Sequence, residues 1–252
     1  MSRKFVLERD CYEEGMNLYK KKTITINPGV TVLVGCNGIG KTTFLHQVRN
    51  TLKKQGIPYI KYDNLNDGGK ESISKASFYG DYAFISIAMQ SSEGENIVLN
   101  IRKFALELKQ FIKTGTPKEN GKFEEVFKDL LNDAEDKSRE VASERWILLD
   151  ALDSGLSVDN IIDIKEHLFK TILKCNYGNE IYIVVSANEY EITRGESCFD
   201  VYNGKYVTFK NYEEYLQFIV NSKEWKEQRH NIFDSRDNKK PTKDVDLEIK
   251  PR

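Results

Sequence analysis

Two hydrophobic patterns alternate along the chain: short apolar runs of strand length, and longer segments in which apolar positions recur every three or four residues. The short runs predict buried strands at residues 5–7, 23–27, 30–34, 57–62, 146–150 and 181–185. The longer segments predict amphipathic helices at residues 44–52, 97–112, 123–134, 158–174 and 212–220. Strands that alternate with helices indicate an α/β fold with a mostly parallel central sheet, preceded by an N-terminal antiparallel β portion.

Three further segments complete the predicted organisation. Residues 82–89 fit a helix or a strand equally well, and residues 201–207 suggest a hairpin because Asn203-Gly204 favours a type I′ turn. The last 19 residues contain 11 charged ones, so we expect a flexible tail over 234–252. The rest is predicted to be a single domain over 1–233, with a short helical lobe over about 64–145.

Composition narrows the class of protein. A chain of 252 residues can bury one sizeable α/β core. Its net charge of −1 does not favour a strong nucleic-acid binder. The cysteines show no C-x-x-C pair and no metal-ligand spacing, which favours reduced thiols in a cytosolic protein; they are Cys11, Cys36, Cys175 and Cys198. Without a signal-peptide pattern or a membrane-length apolar stretch, we expect a soluble, cytoplasmic protein with no membrane partner.

The strongest chemical signal is the glycine-rich segment 35–43, whose spacing fits the phosphate-binding motif G-x-x-x-x-G-K-[ST]. A predicted strand precedes it and a predicted helix follows, so backbone N–H groups and the helix dipole would face a bound anion. Lys41 is predicted to reach the β- and γ-phosphates, and Thr42 to ligate Mg²⁺. The alternative is a chance glycine-rich turn. The residues predicted to bind the nucleotide here are Asn37, Gly38, Ile39, Gly40, Lys41, Thr42 and Thr43.

Asp150 ends the apolar run 146–150 and is the predicted second magnesium contact, together with Thr42. An apolar run that ends in aspartate is usually only a strand end. Its position after a phosphate-binding motif, and before the segment Asp153-Ser154-Gly155, favours the functional interpretation.

These motifs resemble those of ABC-type ATPases, above all the soluble SMC/RecF-like branch. The resemblance covers the opening at residues 28–43, the strand that ends at Asp150, and Ser154-Gly155-Leu156, which is similar to the family's D-loop. Ser91–Glu95 is similar to the family's signature motif. The resemblance implies that Ser92, Gly94 and Glu95 contact the γ-phosphate of ATP held by a second subunit. The alternative for this segment is an ordinary helix cap.

The chain departs from that family at several functional positions. Ala151 stands where the family has the glutamate that polarises the attacking water; as a hypothesis, Asp153 partly replaces it, or else Asp153 only caps a turn. Asn188 lies next to the position of the family's switch histidine and either contacts the γ-phosphate or is a turn residue. Asp63 is the best-placed polar residue for the Q-loop and a further candidate metal ligand. Tyr12 and Tyr19 are the candidates for stacking on adenine.

The short stretch between Lys41 and Ser92 has no room for the helical subdomain of transporter ATPases or for long coiled-coil arms. The chain therefore resembles the compact "AAA/ABC family ATPases" of phages and mobile elements. The resemblance implies an ATP- and Mg²⁺-dependent homodimer with slow or conditional hydrolysis. The alternative is an ATP-dependent interaction module with negligible hydrolysis, acting as a regulatory or DNA-associated subunit of a phage or defence system. DNA contacts would involve the basic clusters Lys20–Lys22 and Lys53–Lys54, which are otherwise solvated faces.

Overall fold

The computed structural model of the protein describes residues 2–7, 18–67, 69–116 and 144–237. A six-stranded sheet forms the centre, in the order β4-β5-β6-β3-β7-β8, and every neighbouring pair is parallel except β7–β8. Two further strands, β1 and β2, form a separate antiparallel pair. The strands are β1 (Arg3–Val6), β2 (Thr23–Ile26), β3 (Gly29–Val34), β4 (Tyr59–Asp63), β5 (Glu144–Asp150), β6 (Glu180–Ser186), β7 (Ser197–Asp200) and β8 (Lys205–Val207). The predicted α/β class, mostly parallel sheet and N-terminal antiparallel pair are confirmed.

The helices cover both faces of this sheet and build a small lobe after β4. They are α1 (Lys41–Lys54), α2 (Asn64–Asp67), α3 (Gly69–Tyr79), α4 (Tyr82–Ala88), α5 (Glu93–Thr114), α6 (Val158–Asp163), α7 (Lys170–Lys174), α8 (Tyr190–Thr193) and α9 (Tyr212–Asp237). A π-helical turn, Ile164–Phe169, joins α6 to α7. None of the described helices is both long and apolar enough to span a bilayer.

Strand β3 shows why the sheet is covered on both sides. Val30, Val32 and Val34 belong to a hydrophobic cluster that includes residues of α5, whereas Leu33 belongs to a second cluster with Phe44 of α1. Side chains alternate between the two faces of a strand, so an unbroken apolar run fits a strand that is buried on both. The parallel strands β3, β4, β5 and β6 thus all end at one edge of the sheet, where the predicted polar residues meet.

The segment 82–89, which fitted either structure by pattern, forms helix α4. Asp81 caps it by accepting a hydrogen bond from the Phe84 N–H at 3.1 Å. Phe84 and Ala88 pack with Ala76 of α3 in a small cluster of the lobe. The helical form is therefore favoured by a local cap and by packing within the lobe.

Two predicted boundaries are wrong, and some predicted segments cannot be compared. The hairpin pairs Asp200 with Lys205, so four residues, 201–204, join its strands instead of a two-residue Asn-Gly turn. The reason is local: the Asp200 carboxylate accepts from the Asn203 N–H at 3.0 Å, and the Asp200 carbonyl accepts from the Gly204 N–H at 2.8 Å. Helix α9 continues beyond residue 220 to Asp237. The predicted helix 123–134, Tyr12 and residues 238–252 of the predicted tail lie outside the described residues.

Candidate functional site

The glycine-rich loop 35–40 joins β3 to α1, in the strand–loop–helix order that the motif predicts. Gly35, Gly38 and Gly40 have φ values of 141°, 77° and 113°, which L-residues rarely adopt. A Cβ on Gly35 would lie 2.9 Å from the Ile39 side chain, so any other residue there would also require Ile39 to move. The hydroxyl of Tyr19 donates to the Gly40 carbonyl at 2.9 Å and holds the end of the loop.

Lys41 lies inside this loop and is almost fully buried. Its ammonium donates to the carbonyl of Gly35 at 2.6 Å and to the side-chain Oδ1 of Asn188 at 2.9 Å. Burial lowers the pKa of Lys41, and the nearby negative charges of Asp153 and Asp150 oppose that decrease. An ammonium that is buried and hydrogen-bonded to neutral oxygens still attracts an anion strongly.

Thr42 and Asp150 meet at the start of α1. The Thr42 hydroxyl lies 3.2 Å from Asp150 Oδ1, although the residues are 108 positions apart. Ser186, at the end of β6, also donates to Asp150 Oδ1, and its Oγ accepts from the Ala151 N–H at 3.0 Å. A hydroxyl and a carboxylate side by side are the oxygen ligands that Mg²⁺ takes, so these residues fit the ion.

Protein ligands alone do not complete such a centre. Over the part of the chain that the structure describes, no group of three or more His, Cys, Asp or Glu side chains could hold a metal ion. A magnesium ion held by Thr42 and Asp150 would take its other ligands from phosphate oxygens and water, as Mg²⁺ in nucleotide sites does.

Asp153 makes the turn-capping contacts that the sequence suggested as one of two alternatives. Its side chain is 4% exposed, and Oδ2 accepts from the backbone N–H groups of Asn188 at 2.5 Å and Glu189 at 2.6 Å. The other oxygen, Oδ1, is buried and has no hydrogen-bond partner among the described residues. The carboxylate thus positions the loop after β6, and its second oxygen is left without a partner.

Asn188 connects three parts of the site. Its Oδ1 accepts from Lys41, its N–H donates to Asp153, and its carbonyl accepts from the hydroxyl of Tyr215 in α9. Asn188 is therefore in contact with Lys41 of the glycine-rich loop, and its contact with a γ-phosphate stays a prediction.

Asp63 ends β4 directly beside Asp150 in the parallel register. Its carboxylate oxygens accept from the Leu65 N–H at 3.1 Å and from the Asn66 side chain at 2.5 Å, which stabilises the start of α2. Its role as a metal ligand stays a prediction.

The next residue, Asn64, is a site residue that sequence reasoning missed. It is buried, and its Nδ2 donates to the carbonyls of Ser154 at 2.6 Å and Leu152 at 3.4 Å. Asn64, the first residue of the helical lobe after β4, therefore connects that lobe to the loop after β5 through hydrogen bonds. The sequence showed only a polar amide after Asp63 at the end of β4, which does not by itself indicate this role.

Ser92 and Glu95 form a capping box at the start of α5. The Ser92 hydroxyl accepts from the Glu95 N–H at 3.4 Å, and the Ser92 N–H donates to the Glu95 carboxylate at 2.7 Å. These hydrogen bonds lower the pKa of Glu95 below its ordinary value. The capping role is thus present, and the contact with ATP of a second subunit stays a prediction.

Gly94 lies against the loop after β5. A Cβ built on Gly94 would be 3.5 Å from the Gly155 carbonyl oxygen, and one built on Gly155 would be 2.9 Å from the Ile97 side chain. The signature-like and D-loop-like segments are therefore neighbours within one chain.

Helix α9 also borders the site, which the sequence analysis did not predict. The hydroxyl of Ser222 accepts from the Cys36 N–H at 2.8 Å, and the ammonium of Lys226 donates to the Asn37 carbonyl at 3.1 Å. The available signal was the spacing of Tyr215, Ser222 and Lys226, which places them on one helical face.

Comparisons with known proteins do not identify the function of this site. No family model matches the chain, and no curated protein matches it. Among solved structures, a nucleotide-free ATP-binding cassette from an ABC transporter is 13% identical, with 88% of this chain and 96% of that chain covered and a TM-score of 0.42. The cbiO1 protein from Clostridium perfringens, part of the ABC transporter complex cbiONQ, is 16% identical, with coverages of 81% and 86% and a TM-score of 0.39. These scores are too low to assign a function, which has to be inferred from the geometry of the site.

Proposed function

We propose that this chain is an ABC-type ATPase that binds ATP with Mg²⁺, dimerises around it and hydrolyses it slowly. The observation that carries the proposal is the meeting of Lys41, Thr42 and Asp150 at the carboxyl edge of the sheet, where α1 begins. A buried lysine, a helix N-terminus and a hydroxyl–carboxylate pair are the parts that hold a nucleoside triphosphate in P-loop proteins.

Each residue has a defined task in this proposal. The N–H groups of loop 37–43 hold the phosphates, while Lys41 exchanges its carbonyl partners for phosphate oxygens. Thr42 and Asp150 would hold the magnesium ion, which neutralises phosphate charge when bound. Asn188 keeps the Lys41 ammonium directed toward the loop after β6.

The position of the signature-like segment supports dimerisation. Ser92 hydrogen-bonds with Glu95 at the N-terminus of α5, and Gly94 lies beside the Gly155 backbone. Gly94, between Glu93 and Glu95, leaves backbone N–H groups of this helix N-terminus open to the phosphates of a second copy of the chain. ATP that binds the closed pair more tightly than the open one would supply the free energy of closure.

Slow hydrolysis is proposed from the residues near the attacking water. Ala151 has no group to orient water, and the buried carboxylate two residues later, Asp153, uses one oxygen for two backbone N–H groups. Its partnerless Oδ1 is the atom we assign to the water.

The same contacts favour a second candidate, an ATP-dependent interaction module with negligible hydrolysis. In that case Asp153 is only a structural cap, and ATP binding alone controls assembly. Phosphate release separates the two: Asp153→Asn abolishes turnover in the ATPase, whereas the module shows tight ATP binding and no turnover even in the wild type.

Binding is tested by titrating ATP with Mg²⁺ into the wild type, Lys41→Ala and the matched control Lys53→Ala, which removes an exposed lysine at the other end of α1. We expect Lys41→Ala alone to lose binding. Equal affinities for all three proteins would contradict the proposal.

Dimerisation is tested by size-exclusion chromatography with and without ATP and Mg²⁺, comparing Ser92→Asp with Ser92→Asn. Both residues cap helices, so both should keep α5 intact. Only aspartate adds a negative charge against phosphate, so we expect Ser92→Asp alone to remain monomeric with ATP. A wild type that stays monomeric at saturating ATP refutes the dimer.

A further inference from the structure

Helix α9 presents one face to the proposed nucleotide site over three turns. Tyr215, Ser222 and Lys226 are spaced by seven and four residues, which brings all three to the same side of an α-helix. Their hydrogen bonds reach the two loops that surround Lys41: Tyr215 contacts Asn188, and the other two contact residues 36 and 37.

The part of α9 around Ser222 and Trp225 is fixed by hydrogen bonds and aromatic packing. Ser222 is buried, with its hydroxyl accepting from the Cys36 N–H and donating to the Ile219 carbonyl at 2.7 Å. Trp225 stacks on Tyr202 with ring centroids 5.8 Å apart, and it also packs edge-on against the Phe218 ring at 5.8 Å. The backbone that carries Lys226 is therefore fixed beside the glycine-rich loop.

Lys226 reaches from this helix to the loop at Asn37 and Gly38. Its Nζ lies 3.1 Å from the Asn37 carbonyl oxygen, and a Cβ added to Gly38 would be 2.7 Å from that nitrogen. Gly38 thus leaves the space that the ammonium occupies. Any side chain at position 38 would displace it.

Within the described part of the chain, no ion pair neutralises the charge of Lys226. An ammonium has three donors, and a single carbonyl acceptor uses one of them without cancelling the charge. A cation held at the rim of a phosphate-binding loop is suited to an anionic ligand of that loop.

We propose that Lys226 is a second phosphate-binding cation, which contacts an oxygen of the triphosphate from the side opposite Lys41. The inference rests on the proposed function. Lys41 approaches from inside the loop, beside Asn188, and Lys226 approaches over Asn37 and Gly38. The triphosphate is then held by two lysines that come from opposite ends of the chain.

The test measures the affinity for ATP with Mg²⁺ by calorimetry in the wild type, Lys226→Ala, Lys226→Arg and Lys223→Ala. Lys223 lies on the same helix and is exposed, so it controls for the loss of one positive charge. Loss of a charge-assisted contact should weaken binding by about tenfold in Lys226→Ala. We expect Lys226→Arg to recover most of the affinity and Lys223→Ala to match the wild type. Melting of the nucleotide-free proteins checks that all four fold.

The outcomes separate this inference from the function on which it rests. A wild type that does not bind ATP overturns both. A wild type that binds, with Lys226→Ala binding equally well, overturns the inference alone. Equal losses of ATP affinity in Lys226→Ala and Lys223→Ala would indicate only a long-range effect of charge. A loss of affinity that Lys226→Arg does not recover, together with a lower melting temperature, would indicate a structural role. Either result overturns the inference.

Discussion

Replacing Asp153 tests how much of the site depends on one buried carboxylate. Asp153→Ala removes the acceptor of two short hydrogen bonds, from the N–H groups of Asn188 and Glu189. Hydrogen bonds to a charged group contribute about 1.5–3 kcal/mol each, and water can partly replace them here because both donor residues are exposed. We therefore expect a loss of about 3 kcal/mol in the free energy of unfolding. For a chain of this length that lowers the melting temperature by about 6–12 °C.

Asp153→Asn is the matched comparison, because its amide oxygen can still accept both N–H groups. We expect it to lose only about 1 kcal/mol, since the bonds become neutral but remain. Urea unfolding followed by circular dichroism measures both variants, with the unfolding slope checked for constancy. The reasoning is refuted if Asp153→Ala has the wild-type midpoint, or if asparagine destabilises the protein as much as alanine does.

Three further predictions concern the surroundings of the site. Ala151 has a φ of 49°, so Ala151→Gly should raise the free energy of unfolding by up to about 1 kcal/mol, whereas the control Ala187→Gly should lower it; equal effects in urea unfolding would contradict this. Asn64→Ala removes two bonds to the loop after β5 and should cost about 1–3 kcal/mol; an unchanged urea midpoint would show that these bonds contribute nothing. Burial raises the pKa of the Cys198 thiol to about 12, so at pH 8 iodoacetamide should label exposed Cys175 but not Cys198. Peptide mapping of native and unfolded protein checks this, and labelling of Cys198 in the native protein would contradict it.

The parts of the site that could be predicted from the sequence are those formed by consecutive residues. The glycine-rich loop needs particular residues at consecutive positions, and Asp150 stands at the end of an apolar strand. Once these strands are parallel neighbours, their carboxyl ends must share one edge. Thr42 and Asp150 therefore meet, although 108 positions separate them.

The parts that could not be predicted depend on long-range packing. The spacing of Tyr215, Ser222 and Lys226 places them on one face of α9, but it does not indicate that this face covers loop 35–40. The hairpin was misplaced because the carboxylate of Asp200 bonds to the Asn203 N–H and widens the turn. The role of Asn64 depends on carbonyls some ninety positions away, which no local pattern encodes.

Strand β3 is paired with β6 and β7 on its two edges, and hydrophobic clusters cover both of its faces. Amides at Val32 and Leu33 should therefore exchange with solvent deuterium only when the whole molecule unfolds, whereas loop 187–189 should exchange through local opening. The glycine-rich loop thus begins at a strand that should exchange slowly. A movement caused by a ligand would then be taken up by the loop after β6 and by helix α9, which both contact residues of the glycine-rich segment.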